Sequence, residues 1–157
     1  MQATQQITPT RPADYLEVMT KAVFQSGMSW QVVEAKWPGF REAFDGFDPE
    51  KIAGYTGDDV ERLAADTRII RNRRKIEATL TNAETMLGLE RSPGGFSGWL
   101  RSHAGFEATV AALRGEFRFL GETGAYYFLY VVGEPVPSHE EWMKTHPGAP
   151  RGRARAT

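Results

Sequence analysis

The stretch of sequence that decides the fold class is Phe117-Arg-Phe-Leu-Gly-Glu-Thr-Gly-Ala-Tyr-Tyr-Phe-Leu-Tyr-Val-Val132. Its aromatic and β-branched second half is compatible with a buried strand as well as a helix, because periodicity alone does not separate the two in a short apolar run. Gly121 and Thr123 make a good N-terminal turn for a helix, and no partner strand is apparent elsewhere. We therefore predict a final helix from about Thr123 to Val132.

The remaining segments also have helical periodicity. Apolar residues recur every three or four positions in each predicted helix, and capping residues mark several helix starts. Proline after Trp37 predicts that the second helix ends there, and Gly88 is the predicted C′ residue of the longest one. The predicted helices cover about 14–25, 29–37, a segment beginning at Asp48-Pro49, a segment after the Thr56–Asp59 capping box, 72–88, 96–103 and 105–113. The fold class is predicted to be all-α.

The bulk composition is that of an ordinary globular chain. Its 157 residues are 41% hydrophobic and 25% charged, which suits one domain with a real core. We predict a single helical domain over residues 1–146 and a disordered basic tail over 147–157, where Pro, Gly, Arg and Ala follow no pattern.

Two absences limit the kinds of site and the compartment. The chain has no cysteine, so it has no disulfide, thiolate metal site or cysteine nucleophile. No apolar run is long enough for a membrane span, and Met1 to Thr10 has no signal-peptide core. We expect a cytoplasmic protein that does not associate with a membrane.

Positive charge is concentrated locally although the whole chain is almost neutral. The net charge is −1, which lacks the basic excess of most nucleic-acid binders. Five basic side chains nevertheless fall within eight positions, and such a cluster can bind phosphate. Solvated charge at a helix end is an equally good interpretation. The cluster comprises Arg68, Arg71, Arg73, Arg74 and Lys75.

Several motifs occur together in a recognisable order. They are Phe24-Gln-Ser-Gly-Met-Ser-Trp30, Phe47-Asp-Pro49, Asp59-Val-Glu-Arg-Leu63, Ile69-Ile-Arg-Asn-Arg73 and Phe117-Arg-Phe-Leu-Gly-Glu-Thr123. In order and spacing they resemble the landmarks of the 3-methyladenine DNA glycosylase I family, over roughly residues 15–139. The resemblance implies a helix-hairpin-helix DNA glycosylase-like helical bundle that excises damaged bases.

The resemblance also implies roles for the first motif. Trp30 would stack on a base turned out of the duplex, and Gly27 and Met28 would form the wedge that fills the vacated place. The implied base pocket includes Phe24, Gln25, Trp30 and Tyr126. The alternative is that Trp30 and Met28 are core residues at the start of a helix.

The hairpin motif suggests a contact with the DNA backbone. Gly121 and Thr123 would present free N–H groups of a helix N-terminus to a phosphate. Arg71, Arg73 and Arg118 could add charge-assisted contacts. The alternative is an ordinary turn between helices.

The chain departs from the family pattern where chemistry is concerned. The family's zinc site needs cysteines, and one histidine, His139, does not make a site, so we predict no metal and no cofactor. Ala22 stands where the family has its base-recognising glutamate, and Pro137 stands where the wider superfamily often has an aspartate. The catalytic residue is therefore unknown; Glu140, Glu141 and His139 are weak candidates, and adjacent glutamates are more often solvated.

Three functions compete, and the first two involve DNA. The first is a monofunctional glycosylase that hydrolyses the N-glycosidic bond of 3-methyladenine-like purines, acting in base-excision repair. The second is an inactive module of the same fold that binds damaged DNA, which the missing carboxylates favour. A helical scaffold without a DNA role is a third. In the first two cases the expected partner is double-stranded DNA with a damaged base, bound by a monomer near the nucleoid.

Overall fold

The computed structural model describes residues 5–146, and this range contains helices and no strand. The all-α prediction is confirmed. The predicted tail, 147–157, lies outside the described residues. The helices are α1 (Pro12–Gln25), α2 (Trp30–Ala43), α3 (Pro49–Ala53), α4 (Gly57–Ala64), α5 (Arg73–Glu90), α6 (Gly95–Leu100), α7 (Phe106–Glu116), α8 (Glu122–Val131) and α9 (His139–Thr145), with a 3₁₀ turn at Asp45–Phe47.

The core is built around α1, which packs against α8, α5 and α2. Its apolar positions are fully buried because they recur at helical spacing and so share a face. Aromatic rings fill much of the space beside α2: Phe24 meets Phe40 edge-on with ring centroids 4.8 Å apart, and Trp37 stacks on Phe47 at 5.3 Å. Each such side chain contributes about 1.5–3 kcal/mol by burial.

Helix α2 does not end at Pro38, so the prediction of a short helix was wrong. The helix runs from Trp30 to Ala43 with Pro38 inside it. Proline removes one backbone hydrogen bond to the residue four positions earlier. Pro38 and Glu34 are both exposed, so water can hydrogen-bond to the freed carbonyl of Glu34. Trp37 and Phe40, on either side of the proline, are buried and hold the helix in place.

Two later helices also differ from the prediction. Gly88 lies inside α5, which continues to Glu90, and no positive φ marks Gly88 as a helix end. Helix α9 was not predicted at all, although its start carries a capping box. Ser138 accepts a hydrogen bond from the Glu141 amide at 3.1 Å, and the Glu141 carboxylate accepts one from the Ser138 amide at 3.3 Å.

The sequence-predicted helix starts at three other places are confirmed. Ser29 caps α2 by accepting from the Val32 amide, and Asp48 caps α3 with proline at the first helical position. The Asp59 carboxylate accepts from the Thr56 amide at 2.9 Å. This hydrogen bond is the main reason that the pKa of Asp59 lies below its usual value.

The stretch from Phe117 to Val132, which decides the fold class, forms a turn followed by a helix. Residues 117–121 form a hairpin between α7 and α8, and α8 is helical as predicted. Helices α1 and α8 pack closely, with the rings of Tyr15 and Phe128 6.2 Å apart at one end. At the other end, a Cβ added to Gly124 would lie 3.7 Å from the Cβ of Ala22. None of the helices within residues 5–146 has the length and apolar character to cross a membrane.

Candidate nucleic-acid interface and base pocket

An exposed loop, Ser26–Ser29, joins α1 to α2; we call it the wedge loop. Its four residues are all exposed, and Met28 keeps 37% of its surface open to solvent. Gly27 has φ of +73°, a left-handed conformation that glycine adopts without cost. The Met28 amide donates to the Gln25 carbonyl at 3.0 Å and closes the turn. Met28 is thus a surface side chain, not a core residue.

Lys75 anchors the wedge loop from below. It is 4% exposed, although the sequence placed it in a basic surface cluster. Its ammonium Nζ donates to the carbonyls of Phe24, at 3.2 Å, and Ser26. A cation suits these carbonyls because they lie at the C-terminus of α1. Burial lowers the pKa of Lys75 from its ordinary value, and no carboxylate among residues 5–146 pairs with it.

The indole of Trp30 lies directly after the wedge loop and is only partly buried. Its ring meets the ring of Tyr127 edge-on, with centroids 5.4 Å apart. Tyr126, the neighbouring residue that was predicted for the base pocket, points elsewhere. It stacks on Trp142 at 4.6 Å and donates its hydroxyl to the Pro137 carbonyl at 3.0 Å. Tyr127 is therefore the aromatic partner of Trp30.

The other two predicted pocket residues are buried, in different ways. Phe24 is fully buried among core rings, so its faces serve the packing of α1 against α2. Gln25 is 4% exposed, and its Oε1 has no hydrogen-bond partner among residues 5–146. Ala22, where the resemblance implied a glutamate, is buried in the contact between α1 and α8.

The hairpin at 117–121 is held by a buried asparagine that sequence reasoning missed. Asn82 of α5 accepts from the Arg118 amide at 2.8 Å and donates to the Arg118 carbonyl at 3.2 Å. This pair imitates a strand pairing and fixes the backbone of the hairpin. Phe119, at the hairpin tip, has φ of +60° and is 40% exposed, with the guanidinium of Arg74 over its ring.

One open groove connects the wedge loop with the hairpin. Its volume is about 640 Å³, and Ser26 of the wedge loop lines it together with residues on both sides of the hairpin. Gly121 at the N-cap of α8 lies on its wall, so the free N–H groups of the helix start are next to it. Thr123 follows in the first turn of α8. The remaining lining residues are Arg114, Gly115, Phe117, Arg118, Phe119 and Leu120.

The predicted phosphate-binding arginines differ in availability. Arg73 makes two hydrogen bonds to Glu61, at 2.6 and 2.9 Å, and this ion pair raises the pKa of Arg73 and lowers that of Glu61. The side chains of Arg71 and Arg118 are exposed and have no ion-pair partner within the described range. These two are the arginines ready to meet a polyanion.

The weak catalytic candidates lie at the start of α9. Glu141 is engaged in the capping box, and Glu140 and His139 are exposed. The ring of His139 lies 6.4 Å from that of Tyr126, on the side of α8 that faces Trp142. This contact groups His139 with Tyr126 and not with the Trp30–Tyr127 pair. Within residues 5–146, no three His, Cys, Asp or Glu side chains are grouped as a metal site requires.

Comparison with known proteins gives one consistent result. The family model for methyladenine glycosylase matches residues 9–115. DNA-3-methyladenine glycosylase of Haemophilus influenzae is 32% identical over 130 residues, which cover 69% of this chain and 70% of that protein. A crystal structure of 3-methyladenine DNA glycosylase I is 30% identical with a TM-score of 0.70, covering 81% of each chain. A variant solved in complex with 3-methyladenine is 25% identical with a TM-score of 0.71, covering 82% of this chain and 81% of that one. The chain belongs to the methyladenine glycosylase family.

Proposed function

We propose that this protein is a monofunctional DNA glycosylase of base-excision repair that removes 3-methyladenine-like purines from DNA. Its relatives carry that activity in their names. The observation that supports the proposal best is the groove that runs between the wedge loop and the hairpin. A glycosylase needs both parts close together, because one must hold the backbone while the other replaces the extruded base.

The hairpin, Met28 and Trp30 have separate roles in this proposal. The hairpin offers the amide groups at the start of α8, and Arg118 beside them is free to pair with a phosphate. Met28 stands exposed on an anchored loop, so it can enter the stack with little loss of freedom. Trp30 offers a half-open indole to the extruded base. Extrusion costs a few kcal/mol, which these contacts have to offset.

The chemistry suits a base that is already a good leaving group. A purine alkylated at N3 is cationic, and breaking the C1′–N9 bond returns the electron pair to the ring and neutralises it. Water adds to C1′ and gives up its proton to solvent. The aromatic pair of Trp30 and Tyr127 favours a cationic ring, so a strong general base is not required for such lesions.

The competing function is an inactive module that binds damaged DNA. Two observations favour it: Ala22 is apolar and packed against α8, and Pro137 engages Tyr126 through its carbonyl. Neither position provides a carboxylate for base recognition or catalysis. The two functions differ in one measurable outcome, the release of free base.

The decisive experiment measures free base released from methylated double-stranded DNA by wild-type protein and by a Trp30→Ala variant. We expect release by the wild type and a loss of about 10²-fold or more in the variant, because stacking energy of about 1–3 kcal/mol is combined with lost positioning. Trp99→Phe, which changes an indole packed on Phe96 and His103, is the matched control and retains activity. Release by the wild type no greater than in a protein-free control would leave only the binding module, and full release by Trp30→Ala would exclude Trp30 from the base pocket.

The cellular setting is part of the same proposal. We propose that the protein acts as a monomer on double-stranded DNA with a damaged base, without metal or cofactor, in the cytoplasm at the nucleoid. One domain over residues 1–146 performs the reaction. The catalytic residue stays unassigned, with Glu140, Glu141 and His139 as the weak candidates.

A further inference from the structure

Phe119, at the tip of the hairpin, has a strained backbone whose cost its own packing does not offset. Its φ is +60°, in the left-handed region that bulky side chains rarely adopt. Two other non-glycine residues in the described part of the chain have a positive φ, Asp45 and Phe47. Phe47 is fully buried and stacks on Trp37, and the Asp45 carboxylate accepts a hydrogen bond from the Tyr55 hydroxyl. Phe119, by contrast, is 40% exposed.

The hairpin does not need the Phe119 ring to hold its shape. Phe117 and Leu120, on either side of the tip, are buried and anchor it to the core. Asn82 satisfies both the N–H and the carbonyl of Arg118. The ring of Phe119 remains exposed and lines the open groove. Strained residues persist where the surrounding structure fixes them, and they cluster at binding sites, so the strain at Phe119 points to a role in binding.

Groups that bind anions lie close to the Phe119 ring. The guanidinium of Arg74 lies over the ring, 5.5 Å from its centroid, and makes no ion pair within the described range. Gly121, two residues after Phe119, is the N-cap of α8, where N–H groups are free. Arg118 lines the same groove. This combination of one apolar surface with several anion-binding groups fits a nucleic-acid strand, in which charged phosphates alternate with less polar sugars.

We propose that the Phe119 ring packs against a deoxyribose of the DNA strand whose phosphates are bound by the start of α8 and by Arg74. A guanidinium stacked on a ring keeps its N–H donors available to a phosphate. Contacts to sugar and phosphate fix the position of a protein on DNA without reading its sequence. This inference rests on the proposed function and adds to the hairpin an apolar contact with the strand, for which the protein keeps a strained aromatic residue.

The test measures binding of the full chain to an undamaged DNA duplex by fluorescence anisotropy at several salt concentrations. Phe119→Gly removes the ring and relieves the backbone strain. We expect it to bind about tenfold more weakly at every salt concentration, because apolar contact area is lost. The slope of log K against log salt concentration should stay that of wild type, because no phosphate contact is lost. Phe119→Tyr keeps the ring and should bind within about twofold of wild type.

Stability and the salt slope separate this role from a structural one. Relief of strain offsets the loss of a partly exposed ring, so the thermal midpoint of Phe119→Gly should stay within a few degrees of that of wild type. If the ring merely held the hairpin in place, Phe119→Gly would also lose phosphate contacts and the slope would fall. Arg74→Ala should show that other signature, a slope lower by about one unit.

Ile7→Gly is the matched control. Ile7 is also 40% exposed, but it lies at the other end of α8, where its amide donates to the Val131 carbonyl. We expect this variant to bind the duplex as wild type does. The inference is overturned if Phe119→Gly binds as tightly as Ile7→Gly, or if its slope falls. It is also overturned if the loss differs between A·T-rich and G·C-rich duplexes, because a ring inserted between bases would respond to their stacking.

Failure of this inference is distinct from failure of the proposed function, which is judged by base release from methylated DNA. Base release combined with duplex binding that does not depend on Phe119 removes this inference alone. Duplex binding that depends on Phe119 without any base release removes the glycosylase and leaves the sugar contact in place.

Discussion

At the scale of single residues, the site depends on side chains whose environment the sequence does not reveal. Lys75 sits in a run of basic residues and reads as surface charge, yet it is buried under the wedge loop. Tyr126 and Tyr127 are adjacent and chemically identical, and only the packing of α8 shows which of them meets Trp30. Trp30, Gly27 and Met28 could be predicted because a short motif carries them. Their neighbours could not, because the contacts are distant in sequence.

Gly27 should tolerate substitution only by residues that accept a left-handed backbone. Its φ is +73°, and a Cβ added there would meet nothing within 4 Å, so the cost of Gly27→Ala is backbone strain of about 1–2 kcal/mol. Asparagine visits this conformation more readily, so Gly27→Asn should be less destabilising. Urea unfolding of the two variants measures the difference. Equal stability of both variants and wild type would show that the loop relaxes freely.

Lys75 should make stability depend on alkaline pH in a defined direction. Because burial lowers its pKa below the ordinary value for lysine, the folded protein releases this proton at a lower pH than the unfolded chain does. Between the two pKa values the unfolded state binds more protons, so the free energy of unfolding rises with pH. Below that window the contribution is constant.

The comparison that isolates this effect is wild type against Lys75→Met. Urea unfolding from pH 8 to 10.5 gives the stability difference at each pH, which cancels groups common to both proteins. We expect wild type to gain on the variant as the pH rises. A difference that shrinks with rising pH would mean that the folded state stabilises the charged amine, contrary to its burial.

At the scale of secondary-structure elements, local sequence signals predict the helices but not all of the residues at which they begin and end. The helix starts at Ser29, Asp48 and Thr56 follow from caps that act within one turn. The continuation of α2 through Pro38 depends on buried rings at Trp37 and Phe40, which are tertiary contacts that outweigh a local breaker. The start of α9 carries the Ser138–Glu141 capping box, a local signal from which this helix could be predicted.

Asn82 should link the stability of the hairpin to DNA binding. Asn82→Ala removes both hydrogen bonds to the Arg118 backbone, and we expect a loss of about 1–3 kcal/mol in the free energy of unfolding. At a temperature where the variant is still folded, we also expect weaker binding to methylated duplex DNA, because the hairpin is no longer held. Unfolding by urea and fluorescence anisotropy measure the two effects.

Glu84→Ala is the matched control for Asn82. Glu84 is exposed on the same helix, and its truncation should change stability by no more than about 0.5 kcal/mol. If Asn82→Ala bound DNA as tightly as Glu84→Ala, the hairpin would not be the part that grips the backbone.

At the scale of the whole molecule, the near-neutral net charge conceals a division between arginines that are ion-paired and arginines that are not. Arg68 pairs with Asp66 and Arg73 with Glu61, whereas Arg71 and Arg118 are unpaired in the described part of the chain. The amino-acid composition gives only the net charge of −1. Which charges face a partner depends on the tertiary structure, and for this reason the strength of the DNA interface could not be predicted from the sequence.

The salt dependence of DNA binding should reveal this division. Each phosphate contact contributes about 0.9 to the slope of log K against log salt concentration, so Arg71→Ala and Arg118→Ala should each lower the slope by about one unit. Arg73→Ala is the matched control, because its charge is already paired with Glu61, and its slope should stay close to that of wild type. Identical slopes for all three variants and wild type would exclude Arg71 and Arg118 from the interface.

Helix α5 contacts both functional parts of the site. Lys75 reaches the wedge loop and Asn82 reaches the hairpin. The two residues are seven positions apart, which is close to two helical turns or about 10 Å along the axis. The helix thus sets the distance between the wedge loop and the hairpin. Inserting a single residue between positions 75 and 82 would turn one anchor by about 100° away from the other. Length variation in this protein should therefore be forbidden within that interval.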